Sequence, residues 1–336
     1  MYPTIHDWKL ENVDSQGYGA LSDCISCEVT EELNGAYTLE LTYPLKGVHA
    51  EYLVPGNVIV AKPNHNQGRQ AFRISQVKQS FANNYQVYAN HICYDLSGYY
   101  MRGAYSYTDI TALFTAMDGY VWADSPYYHQ FHFGTDITSS TAFSMPPLQT
   151  LRSYMGGQEG SILDVYGGEW IYDNFNCFLA SRRGSDTGYR ISYGKNLSEY
   201  EKQRDYNSYS HLCAYWKKDE TYAFSNIIAT GQICPFRTGY YDASNEYDDA
   251  PTTAQLNASA EAQIAKMNPL AQTVTITPAQ LGNDVIGLGD SVLICYDVVF
   301  QIRVIKTVWD SLRDEYKTMV LGTKKANITD TIKSLK

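Results

Sequence analysis

Few side chains of this 336-residue chain are placed to do chemistry, and each set has to be judged by its spacing. Glu159, Asp164, Glu169 and Asp173 are candidates for a glycosidase pair, which needs two carboxyls ~5 to 9.5 Å apart. Glu169 stands out because Trp170 follows it, and an aromatic neighbour can both stack on sugar and raise a carboxyl pKa by desolvation. Acidic residues beside glycine-rich turns are more often solvated, so none is assigned a catalytic role.

His129 and His132 are the one close histidine pair, within the aromatic run 127–133. On a strand their imidazoles face opposite sides and cannot share a metal. Cys24 and Cys27 are subject to the same geometry, and no second cysteine pair completes a zinc site. Gly188 to Asn196 resembles a phosphate loop with one residue too many between its glycines, and Asn196 stands where a magnesium-binding Ser or Thr belongs. Gly287-Leu288-Gly289 lacks a third glycine and opens a strand instead of a helix. There is no His-Glu-x-x-His. No catalytic, cofactor-binding or metal-ligating residue is assigned, no cofactor is expected, and the chain reads as a non-enzyme.

Composition narrows the classes further. The length suits two or three domains, and 18% charged against 44% hydrophobic residues is globular rather than disordered. A net charge of −10 without any Lys/Arg run argues against a sequence-specific nucleic-acid groove. No apolar run approaches the ~20 residues of a membrane span. Met1 to Leu10 has no secretory core, so synthesis in the cytoplasm is expected. Seven scattered cysteines fit reduced thiols better than a disulfide framework. Thirty tyrosines suit protein interfaces, carbohydrate-binding surfaces or the half-exposed faces of many strands.

The elements that must position these residues are mostly strands. Tyr37, Leu39, Leu41 and Tyr43 alternate with polar residues, and Asn34-Gly35 marks a hairpin with Val29 to Leu33. Val58 to Ala61 reads as a short strand stopped by Pro63, and Phe72–Val77 with Tyr85–Ile92 as a second hairpin around Asn83-Asn84. Thr108-Asp109 caps a helix carrying Ile110, Leu113, Phe114 and Met117 that stops at Gly119. Pro147 opens another with Leu148, Leu151 and Met155, ended by Gly156-Gly157. Asp173-Asn174 turns a third hairpin. Tyr240 to Asp249 reads as an exposed loop, and Thr252-x-x-Gln255 as a capping box for a helix with Leu256, Ala260, Ile264 and Met267.

A late segment parallels an early one. Gly289-Asp290-Ser291-Val292-Leu293-Ile294, then Ile302-Arg303-Val304, then Tyr316–Leu321 follow the order of Gly56-Asn57-Val58-Ile59-Val60, Phe72-Arg73-Ile74 and Tyr85–Ala89. The reading is a duplicated β-barrel module.

The run Thr30-Glu31-Glu32-Leu33-Asn34-Gly35 with Tyr37-x-Leu-Glu-Leu-x-Tyr-Pro-Leu45 resembles the opening of phage minor structural proteins, the tail-tip or baseplate hub family of siphophages and prophages. Gly56–Pro63, Phe72-Arg73-Ile74, Val87–Leu96, Gly167–Phe175 and Arg190–Leu197 resemble further parts of that family in the same order. Taken with the internal repeat, the expected fold is a β-rich α+β, hub-like arrangement of two similar β-barrel modules flanking a mixed α+β middle domain. The boundaries are 1–96, 97–195, 196–325 with a helical insertion near 252–267, and a tail at 326–336.

The resemblance implies a homotrimeric hub in the virion tail that joins the tail tube or distal tail ring to receptor-binding adhesion proteins and contacts the tape-measure protein. Three subunits with two modules each would match a sixfold ring. Some members carry a lytic domain after the structural region; no signature of one is seen here, so any lytic activity is expected elsewhere. The competing readings are a peptidoglycan hydrolase or endopeptidase and a carbohydrate-binding adhesin.

Overall fold

The alternating residues Tyr37, Leu39, Leu41 and Tyr43 form the strand Tyr37–Pro44, and all four side chains are buried. It pairs antiparallel with Ser26–Glu32, and Asn34 takes φ 53° at the turn, a conformation Asn tolerates better than most residues. The computed structural model describes residues 2–10, 12–80, 83–124, 131–158, 160–192, 197–204, 209–231, 236–266, 272–278, 286–295 and 299–322. The chain forms two compact units, Met1–Glu201 with Thr275–Leu321, and Lys202–Val274 with Gly322–Lys336.

The first unit is β-rich, with a sheet curled into a half-barrel and few helices. From the first hairpin the sheet continues through Asn84–His91, Gln70–Gln79, Val58–Ala61 and Thr4–His6. On the other side of the hairpin, Val299–Asp310 pairs with Ser26–Glu32, so Lys306 faces Glu32 and Asp310 faces Glu28. Strands of the two parallel segments are therefore members of one sheet. Leu10, Val58, Val60, Ala71 and Ile92 form a core cluster against it.

Two helix expectations need correction. The first helix spans Ile110–Asp124, with Asp109 Oδ1 accepting from Ala112 N at 2.8 Å, and it runs through Gly119 instead of stopping there. A helical glycine costs only about 1 kcal/mol, and buried Ile110, Leu113, Phe114 and Met117 outweigh it. The second helix is Leu151–Met155, not one opened by Pro147: Thr150 is its cap, accepting from Ser153 N at 3.1 Å. Leu148 lies outside it at φ 65° and 79% exposed. A side-chain cap satisfies an orphan N–H that proline merely avoids.

In the second unit a four-stranded sheet is built on His211–Lys218. Thr253–Lys266 covers one of its faces, opened by the capping box: Thr252 N donates to Gln255 Oε1 at 2.9 Å and Gln255 N to Thr252 Oγ1 at 3.3 Å. Leu256 and Ala260 pack with Leu212, Ala214 and Trp216, while Met267 lies outside the described residues. The stretch read as a loop from Tyr240 begins instead as part of the strand Thr238–Asp242, parallel to His211–Lys218. Its partner lies some 27 residues earlier (Thr238 opposite His211), beyond the range of local pattern.

Candidate functional site

The Gly…Arg repeat folds into two matching clasps. Gly56 and Gly289 both take left-handed backbone, φ 98° and 92°, two positions before a strand begins. Gly56 N donates to Ile74 O at 2.9 Å and Ile74 N to Asn57 O at 2.8 Å; Gly289 N donates to Val304 O at 2.9 Å and Val304 N to Asp290 O at 2.8 Å. Val58 lies opposite Arg73, and Ser291 opposite Arg303. Each arginine then returns to its own glycine: Arg73 Nη1 donates to Gly56 O and Arg303 Nε to Gly289 O, both at 2.6 Å. Two segments more than 200 residues apart thus share ladder register, glycine geometry and a side-chain tie.

They differ in where the guanidinium is anchored. Arg73 binds Asp95, which sits in the short turn Ile92–Gly98 directly after the strand Asn84–His91, at 2.6 Å through Nη2. Both side chains are 23% exposed. Arg303 crosses to Glu169 of the middle segment, with Nη1 to Oε1 at 2.7 Å and Nη2 to Oε2 at 2.6 Å, and Glu169 is 4% exposed. Arg183 N donates to the same carboxylate at 2.8 Å, and Arg183 Nη1 reaches Glu31 Oε1 at 2.6 Å. Burial disfavours the charged Arg183 guanidinium, and the attraction of Glu31 overrides it, leaving its pKa raised. The four residues form a nearly closed buried network linking Ser26–Glu32, Glu169–Asp173 and Val299–Asp310.

Glycine permits this approach. A Cβ on Gly184, φ 75°, would lie 2.3 Å from the Gly289 carbonyl carbon, and one on Gly289 would lie 2.4 Å from Arg183 O. Ser185 N donates to Asp290 Oδ1 at 2.7 Å beside them.

The hairpin Glu169–Asp173/Asn176–Ala180 is docked on the N-terminal strands by amide side chains. Asn34 Nδ2 donates to Gly168 O at 3.0 Å and its Oδ1 accepts from Trp170 N at 2.9 Å. Gln70 donates to Asp173 Oδ1 at 2.7 Å and accepts from Asn174 N at 2.6 Å, while Asn174 Oδ1 accepts from Ala71 N at 2.9 Å. Beneath them His91 is fully buried and stacked on Tyr37 with centroids 4.2 Å apart. Its Nδ1 accepts from Cys93 N at 3.3 Å, which leaves Nε2–H to donate to Gln70 Oε1 at 3.1 Å. Burial, with Arg152 nearby, pushes its pKa down to about 3. This is a neutral structural histidine.

Among the described residues, the candidates drawn from spacing are held in separate structural contacts. Glu169 has both oxygens taken by Arg303 and Arg183, Asp164 accepts from Gly160 N at 2.8 Å, and Asp173 holds Gln70. Glu159, His129 and residues 193–196 of the phosphate-loop-like stretch lie outside the described residues. His132 opens the strand His132–Thr135. Cys24 is half-buried and Cys27 buried, with burial pushing the Cys27 thiol far up. Among the described residues, no group of three or more His, Cys, Asp or Glu is gathered as a metal set, and no helix is long and apolar enough to cross a membrane. Gln70 and Arg183 share in the docking without any signal in the sequence, and Asn34 and Glu31 stand out there only through the hairpin motif, because their docking partners lie more than 100 positions away.

These charged residues pin segments of the chain together. Residues 9–91 match the family model of the prophage endopeptidase tail N-terminal domain. The fold of the chain is shared by prophage tail protein gp18 from Listeria monocytogenes EGD-e (TM-score 0.62, 15% identity, 100% of this chain and 98% of that one). It is also shared by a tail protein from Neisseria meningitidis MC58 (TM-score 0.59, 8% identity, 98% of each chain). The 43 kDa tail protein of prophage MuSo2 from Shewanella oneidensis is similar as well (TM-score 0.56, 11% identity, 88% of this chain and 93% of that one). At such identities the likeness is one of fold. No curated relative matches in sequence. Residues 9–91 thus match a prophage tail domain, and the chain shares its fold with phage tail proteins.

Proposed function

We propose that this protein is the trimeric hub of a phage tail tip, a structural part that joins the tail tube or distal tail ring to the host-adhesion apparatus. The observation that carries the reading is the paired clasp: one chain holds two strand–glycine–arginine units of the same local geometry. Three such chains offer six related sheet segments, which a sixfold ring can bind in quasi-equivalent ways. On this reading the two segments are β modules of common origin, residues 97–195 are the middle domain between them, and the tape-measure protein is held on the inner side. The role is structural: Glu169, the best acid candidate, is engaged in holding strands together.

Stoichiometry in assembled tails tests this. Purified tail particles should contain three copies of the chain per sixfold tube ring, measured by quantitative mass spectrometry against the tube protein. Six copies, or one, would remove the hub assignment. A peptidoglycan zymogram tests the enzymatic alternative, which would require clearing that disappears with Glu169→Gln.

A further inference from the structure

Asn34 is the one asparagine of the chain that is followed by glycine. That pair is chemically labile, because glycine has no side chain to obstruct the approach of its own backbone nitrogen. The Gly35 nitrogen attacks the Asn34 side-chain carbonyl carbon, the bond from that carbon to Nδ2 breaks, and the amide nitrogen leaves as ammonia with the proton of the Gly35 N–H. The cyclic imide so formed takes up one water and opens to aspartate or isoaspartate. The reaction is a hydrolysis and needs neither oxidant nor reductant.

Docking of the middle hairpin opposes it. Both atoms of the Asn34 amide are held from more than 130 positions away, Nδ2 donating to Gly168 O at 3.0 Å and Oδ1 accepting from Trp170 N at 2.9 Å, so turning the carbonyl carbon onto the Gly35 nitrogen costs both bonds. The attacking nitrogen is occupied as well, donating to Glu32 O at 3.0 Å. The product cannot rebuild the clamp. Aspartate keeps an acceptor for Trp170 N, but an oxygen replaces the Nδ2 donor and meets the Gly168 carbonyl, two acceptors where a hydrogen bond stood. Isoaspartate lengthens the backbone of a tight turn whose ends are tied by Glu32 N donating to Ala36 O at 2.8 Å.

We propose that Asn34-Gly35 is a docking-gated deamidation site. It stays intact while the hairpin Glu169–Asp173/Asn176–Ala180 lies on the N-terminal strands, reacts when that hairpin lifts, and no longer holds Gly168 once converted. The site rests on the docking contacts and does not depend on the hub reading.

Peptide mapping by mass spectrometry of the full chain, held in warm and mildly alkaline buffer, measures conversion at Asn34. Hydrogen exchange in the same samples measures opening at the Trp170 amide, with the amide of Leu39, in a strand paired on both sides, as the marker of global unfolding. Both are followed without urea and at urea concentrations below the unfolding transition. Conversion is expected to be about tenfold or more slower than in a free peptide of residues 31–39, and to rise with urea in step with Trp170 exchange and not with Leu39 exchange. Asn34→Asp should speed Trp170 exchange about tenfold or more while Leu39 stays protected. The proposal is overturned if the chain converts as fast as the peptide, or if conversion follows Leu39 exchange or is independent of Trp170 exchange. It is also overturned if the Trp170 amide of Asn34→Asp remains as protected as that of the parent.

Discussion

The clasps at Arg73 and Arg303 use one backbone device for two purposes. At Arg73 the loop is closed locally: glycine, strand, arginine and Asp95 all lie within residues 56–95, and the ion pair remains partly wet. At Arg303 the same device reaches across to Glu169, 134 positions away, and draws in Arg183 and Glu31. A partly exposed pair gains little beyond its hydrogen bonds. A buried one becomes indispensable once made, because removing one partner strands the other charge. The first clasp closes a turn onto its own strand pair; the second fastens the strand Glu169–Asp173 to the sheet.

The sharpest test of that difference is to cut each guanidinium. Arg303→Met should cost about 3–5 kcal/mol in urea unfolding, because it removes the guanidinium that pairs with the buried Glu169 carboxylate. Equal losses for Arg303→Met and Arg73→Met would erase the distinction.

The glycines give the next largest contrast. Both Gly56→Ala and Gly289→Ala pay about 1–3 kcal/mol for left-handed backbone. Only Gly289→Ala also drives a Cβ toward Arg183 O, since nothing lies within 4 Å of a Cβ on Gly56. Thermal melts should rank Gly289→Ala well below Gly56→Ala, and the reverse order would mean that the second clasp is the looser one.

Acid should weaken the first unit through His91. Its folded pKa of about 3 lies below the unfolded 6.5, so the unfolded chain binds the extra proton between those values. Stability from this group is complete above about pH 6.5 and falls as pH drops toward 3, by at most ~1.4 kcal/mol per unit. Denaturation midpoints measured across that range should flatten in His91→Phe, compared with each protein's own value at pH 7. An unchanged slope would remove His91 from the account.

The smallest effect is expected from Arg73→Met, about 1–2 kcal/mol. A double variant with Arg303→Met should be close to additive, because the two clasps share no partner. A coupling well above 0.5 kcal/mol would show that they act as one unit.

Much of the local structure could be read from residue order. Asn34-Gly35, Asn83 and Asp173-Asn174 all turn hairpins, and Thr252 with Gln255 caps the helix as their spacing suggests. Errors arose where a neighbour outside the local window decided the outcome. The helix start moved from Pro147 to Leu151, where Thr150 offers a working cap and Leu148 N donates to Met101 O at 2.9 Å. Tyr240–Asp242 became strand because His211–Lys218 supplied its hydrogen bonds. Glu169 stands out in the sequence for its tryptophan neighbour, whereas its partner Arg303 lies far outside that range.

Residue order alone determined the alternation of strands, the turns, the caps and the repeated glycine–arginine spacing, because these depend on conformational preferences and bonds spanning a few residues. Only the tertiary structure decided that Glu169 meets Arg303, that Arg183 reaches Glu31 and that Asn34 clamps Trp170. Those pairs are separated by more than 130 positions. Their meeting follows from packing strands from both ends of the chain into one sheet, and no local preference encodes that.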